Sequence, residues 1–145
     1  MKLGHVGITI QAIDAVLYEM KDGVRVPRKM PFKLRYKLSK IKDVLQSDVD
    51  AFEQERVKLV HEYGTETEVD GEKRIEVVDA DKLAKFNEAL REVYLTDIVT
   101  KFEPLTEADI EPIGEVEIDV TEDQLRAFMS FVVEQKAVAE PAKPE

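Results

Sequence analysis

Apolar residues recur at Leu34, Leu38, Ile41, Leu45, Val49, Phe52, Leu59 and Tyr63, mostly at steps of three or four. That is the helical period, and neither Gly nor Pro interrupts it. Pro31 suits the first helical position, where a missing N–H costs nothing. Gly64 suits a left-handed stop directly after Tyr63. The spacing therefore predicts one helix over Met30–Gly64, roughly 50 Å long. Ser47-Asp48 is a place where it could break, because either residue can cap a second helix.

The other segments are shorter. Val6, Ile10, Ile13, Leu17 and Met20 predict a first helix from about Thr9 to Met20 or Lys21. The β-branched cluster Val6, Ile8, Thr9 and Ile10 makes a short strand the competing reading. Lys21-Asp22-Gly23 ends that helix, and Val24–Met30 reads as a linker in which Pro27 disfavours helix. Thr65 to Val78 is rich in strand formers, and Asp70-Gly71 marks a two-residue hairpin turn. A ribbon of two strands is marginal unless it packs on something. Asp79 or Asp81 can cap the next helix, whose face is Leu83, Phe86, Leu90 and Val93. Folded back antiparallel, it would cover the second half of the long helix, with the first helix over the other half, in a bundle-like core.

Towards the end, Ile98–Phe102 reads as extended, and Thr106–Ile110 as one helical turn stopped before Pro112. Glu115 to Val120 alternates charged and apolar residues, the signature of a half-buried strand. Thr121 and Gln124 have capping-box spacing, and Leu125, Phe128, Met129, Val132 and Val133 give the last helix an apolar face. Residues 137–145 have the composition of a disordered tail. The expected fold is α+β and mainly helical. A long central helix has antiparallel helix partners, a small β-hairpin and a short C-terminal strand–helix unit, in a single domain over 1–136.

Charge changes this picture. The chain holds 31 acidic and 21 basic residues, a net charge of −10. Between 21 and 42, nine cations face Asp22 alone, so that segment is +9 − 1 = +8 and the remainder is −18. Two readings follow: a basic face neutralised within the chain, or a docking site for an anionic ligand, a nucleic acid or an acidic protein surface. The pI near 4.8 argues against a general nucleic-acid binder. The candidate partner-binding residues are Arg28, Lys29, Lys33, Arg35, Tyr36, Lys37 and Lys40. Phe32 and Tyr36 share a helix face beside Lys33 and Arg35. Aromatics among cations suit base stacking, and they also suit a hydrophobic staple at a helix start.

No catalytic set is legible. His5 and His61 sit on different elements, whereas zinc takes three or four protein ligands. The glycines form no phosphate loop. Asp48-Val49-Asp50 and Asp79-Ala80-Asp81 lack the glycine of a calcium loop. No cofactor, metal or catalytic residue is assigned. Absence of Cys excludes disulfides and fits a reducing compartment. With no long apolar run, neither a signal peptide nor a membrane span is expected.

The order of motifs carries a resemblance. Lys29-Met-Pro-Phe-Lys-Leu-Arg-Tyr-Lys-Leu-Ser-Lys40 precedes an acidic helix that ends at Tyr63-Gly64. An Asp-Gly hairpin follows, then Lys85-Phe-Asn-Glu-Ala-Leu90. Over roughly residues 8 to 134 this resembles a group of small tailed-bacteriophage accessory proteins. The resemblance implies a phage accessory role in the cytoplasm of an infected bacterium, or in the virion, and carries over no active site. The leading expectation is a non-enzymatic protein that binds a phage or host protein, as an assembly factor or an inhibitor of a host or defence system. The alternatives are a virion or tail component, and a nucleotide or nucleic-acid binder using segment 21–42. A homo-oligomer is compatible with all three.

Overall fold

The long helix, α2, runs unbroken over Phe32–Tyr63 in the computed structural model, which describes residues 1–114 and 116–135. Ser47-Asp48 does not interrupt it. Pro31 stands just outside, its carbonyl accepting from the Arg35 N–H at 3.2 Å. The fold class is α+β and mainly helical. In chain order, α1 (Val6–Leu17) leads into a hairpin of β1 (Tyr18–Lys21) and β2 (Val24–Pro27), followed by α2. A second hairpin, β3 (Thr65–Val69) with β4 (Glu72–Glu76), precedes α3 (Ala80–Tyr94), α4 (Glu107–Ile110) and α5 (Glu122–Ala127).

The first hairpin corrects two expectations. Helix α1 starts earlier than Thr9 and stops at Leu17, and the supposed linker contains β2. Tyr18 pairs with Pro27 and Lys21 with Val24 around Asp22-Gly23. The reason is the turn. Asp22 and Gly23 have φ of 52° and 76°, and Asp70 and Gly71 have 53° and 79°. Two successive positive φ values define the turn whose twist matches a right-twisted ribbon. One dipeptide thus makes both hairpins.

Two further expectations fail. Residues 116–120 form no strand, and Glu115 lies outside the described residues, as does the tail 137–145. The described strands pair only within their own hairpins, and 116–120 joins neither. Its amides turn locally instead, Val116 N–H to the Ile113 carbonyl and Val120 N–H to that of Ile118. Gly64 is not left-handed either, since Gly23 and Gly71 are the positive-φ glycines. It is needed for space. A Cβ there would lie 2.3 Å from the Val60 carbonyl oxygen and 2.4 Å from Ile75 Cγ2.

The described residues form two compact units, Met1–Val6 with Gln46–Thr100, and Gly7–Leu45 with the residues from Lys101 onward. Helix α2 contributes residues 46–63 to the first and 32–45 to the second. The second unit is the better cored. Ile13, Val16 and Leu17 of α1, Leu34, Leu38, Ile41 and Leu45 of α2, and Leu105, Phe128 and Val132 are all buried. In the first unit Leu59 is buried but Phe52 is half-exposed, its ring 4.9 Å from that of Tyr94 at the end of α3. Helix α3 has no buried residue, although Asp79 caps it through the amides of Asp81 and Lys82. The capping boxes Thr106/Asp109 and Thr121/Gln124 both form.

Leu45 is fully buried. Leu45→Ala should therefore lower stability by about 2–5 kcal/mol in chemical denaturation; an unchanged midpoint would mean this face of α2 is not core. Gly64→Ala should cost about 1–3 kcal/mol, because the added methyl meets backbone and a half-buried side chain. A neutral result would show that the α2–β3 junction can shift.

Candidate partner-docking surface

Nine cations lie between Lys21 and Lys42, and the fold sorts them. Arg28 is buried, 7 % exposed. Its Nε donates to the Val16 carbonyl at 3.1 Å, and Nη2 to those of Ala15 and Tyr18 at 3.3 Å each. Its Nη1 lies 3.4 Å from Glu19. Ala15 and Val16 lie in the last turn of α1 and Tyr18 directly follows it, where a helix leaves its last C=O groups without partners. A cation there also meets the negative end of the helix dipole.

Arg25 and Lys42 converge on Asp14, at 3.4 and 2.6 Å. Both also sit over the Tyr18 ring, with Arg25 Cζ 4.1 Å and Lys42 Nζ 5.9 Å from its centroid. Lys21 pairs with Glu19 at 3.2 Å. Arg35 donates to the Arg28 carbonyl at 2.6 Å. Lys37, half-buried, donates to Asp109 at 2.8 Å.

Asp109 is the other half of that pair and is itself part of a cap. Its carboxylate also accepts from the Thr106 N–H at 2.9 Å. The Lys37 ammonium and the Thr106 hydrogen bonds hold its pKa down at about 2. The Asp109 carboxylate in turn raises the Lys37 pKa. These contacts stabilise the charged forms.

Three cations remain. Lys29, Lys33 and Lys40 are exposed and pair with no carboxylate among the described residues. Lys33, Tyr36 and Lys40 follow at steps of three and four, so they share one face of α2. Phe32 is 79 % exposed, its ring 6.0 Å from that of Tyr36, and Lys40 Nζ lies 5.6 Å from the Tyr36 centroid. A staple would bury Phe32, and this exposure shows it does not act as one. The structure thus brings Lys29, Lys33, Tyr36 and Lys40 onto open surface. It places Arg28, Arg35 and Lys37 in contacts within the fold.

Phe32 is the surface residue that the sequence reading left out of the site. The signal was its offset from the Leu34–Leu38–Ile41 stripe, four residues before Tyr36. Chemically the surface offers cations and two aromatic faces, with no nucleophile–base pair. No group of three or more His, Asp or Glu placed to hold a metal occurs among the described residues. No helix among them is long and apolar enough to cross a membrane. No family model, curated protein or solved structure matches the chain.

The Lys37–Asp109 pair predicts a pH response. The folded pKa of Asp109 lies below the ordinary 3.8. Its contribution is therefore present above about pH 4 and is lost as pH falls towards about 2, amounting to about 2 kcal/mol. Asp109→Asn should be less stable than the native protein at pH 7, with a flatter stability curve between pH 4 and 2. Parallel curves would remove the pair from the acid response.

Proposed function

We propose that this protein is a non-enzymatic accessory protein that works by binding another protein through Lys29, Phe32, Lys33, Tyr36 and Lys40. The observation that carries this is the selective neutralisation of the basic segment. In a chain with ten more acids than bases, Lys29, Lys33 and Lys40 pair with no carboxylate among the described residues, beside two exposed aromatic rings. Unpaired surface charge adds little to folding. It steers association with an oppositely charged partner, and aromatic side chains are frequent binding hot spots. An acidic protein surface is the natural complement. The resemblance of the motif order to tailed-phage accessory proteins suggests the setting, the cytoplasm of an infected bacterium, with a phage or host protein as partner.

The test replaces Lys29, Lys33 and Lys40 together with Ser, and Phe32 alone with Ser. Both variants should keep their stability within about 0.5 kcal/mol, as surface changes usually do. The lysine variant should bind the partner, identified by capture from infected cells and mass spectrometry, with a slower and less salt-sensitive on-rate. The Phe32 variant should dissociate faster. Unchanged binding by both would overturn the assignment, and nuclease-sensitive capture would favour a nucleic-acid partner over a protein.

A further inference from the structure

The open face of α2 carries a symmetric arrangement of charge. Lys33, Tyr36, Lys40 and Asp43 follow at steps of three, four and three, so one side of the helix presents all four. All are exposed, Tyr36 at 52 %. Asp43, like Lys33 and Lys40, has no ion-pair partner among the described residues. The row is centred on position 38. Lys33 and Asp43 stand five residues to either side of it, Tyr36 and Lys40 two. From Lys33 to Asp43 it extends roughly 15 Å.

Laid antiparallel on a second copy, such a row complements itself. Lys33 meets Asp43 of the second copy, and Asp43 meets its Lys33. Tyr36 meets Lys40 and Lys40 meets Tyr36, a cation over an aromatic ring in each case. A twofold axis at the level of position 38 relates the two helices, which is the isologous form of closed dimers. A parallel arrangement would set lysine on lysine and Asp43 on Asp43, and such like-charge contacts are costly. The antiparallel one also opposes the two helix dipoles. An acidic partner matches the lysines, whereas a second copy matches Asp43 as well. We propose that the protein forms an antiparallel homodimer through this face of α2.

Two contributions set its strength. Exposed ion pairs add little each, so the charges mainly select the partner and its orientation. Covering Tyr36 and the adjoining Phe32, 79 % exposed, removes aromatic surface from water. Each copy carries −10, but repulsion between exposed charges further apart than the Debye length, about 8 Å at physiological ionic strength, is screened. The dimer is therefore weak, reversible and best formed at moderate salt. It covers Lys33, Tyr36 and Lys40. Resting on the function proposed above, this pairing keeps the docking surface closed until a partner competes for it.

Sedimentation equilibrium of the full chain, with concentrations reaching the millimolar range, is the test. The native chain should show a reversible monomer–dimer equilibrium. Asp43→Lys and Lys33→Asp, both at exposed positions, should each raise the dissociation constant at least tenfold while circular dichroism and melting stay native. Mixed in equal amounts, the two variants should dimerise with each other, because every lysine again meets an aspartate. A native chain that stays monomeric would overturn the dimer, as would native affinity in either single variant or failure of the mixture to associate. Dimer and docking surface fail separately. A monomeric native chain leaves the docking surface standing, whereas a dimer whose lysine and Phe32 serine variants still bind the captured partner normally removes the docking surface alone.

Discussion

The guanidinium of Arg28 is the contact on which the arrangement of the better-cored unit depends. Helix α1 ends at Leu17, and its terminal carbonyls need donors. Arg28 supplies them from the far side of a hairpin. Its side chain reaches Ala15, Val16 and Tyr18, and its own N–H donates to Leu17 at 2.8 Å. Its carbonyl then receives Arg35 from the first turns of α2. One residue therefore fixes the end of α1, the closure of the β1–β2 ribbon and the start of the long helix. Lys could not replace it, because a point ammonium lacks the planar fork of donors that serves several carbonyls at once.

That fixation explains how the basic segment is neutralised. With the ribbon closed, Asp14 and Glu19 face back towards Arg25, Arg28, Lys21 and Lys42, and Asp109 meets Lys37. The acids used are few and lie at the ends or caps of other elements. Neutralisation therefore reaches only the cations that meet these acids, and Lys29, Lys33 and Lys40 pair with no carboxylate among the described residues. The +8 of the sequence is two populations of cations with different work.

The division was not legible in the sequence, for a definite reason. Lys33 and Lys37 are the same residue type, four apart on one helix, yet one pairs with no carboxylate among the described residues and the other is half-buried on a capping carboxylate. What distinguishes them is Asp109, seventy-two positions away from Lys37. Long-range partners leave no periodic trace. Local rules, by contrast, were legible: the unbroken period of α2, the caps at Asp79 and Thr121, the helical turn at Thr106–Ile110 and the Asp70-Gly71 turn all formed as their chemistry dictates. The same turn at Asp22-Gly23 was equally legible, but the apolar period running through Leu17 and Met20 masked it. Residues 116–120 had the alternation of a strand, and pattern alone cannot supply the neighbouring strand whose backbone would pair with it.

The persistence of α2 past Ser47-Asp48 has a related cause. Both residues cap helices well in isolation, so a break there would cost little locally. Nucleating a second helix is the expensive step, whereas extending an existing one adds a hydrogen bond for each residue fixed. Leu34, Leu38, Ile41 and Leu45 are buried, so the first half of α2 is held helical by packing. Residues 46–63 then need only propagate. Their own burial is modest, with Leu59 below a tenth exposed and Phe52 half-exposed against Tyr94. A segment with so little core would be a poor independent nucleus. Its helicity rests on continuity with the packed half. Local opening should therefore begin in the Gln46–Thr100 unit, where α3 has no buried residue, while the Arg28-anchored end holds.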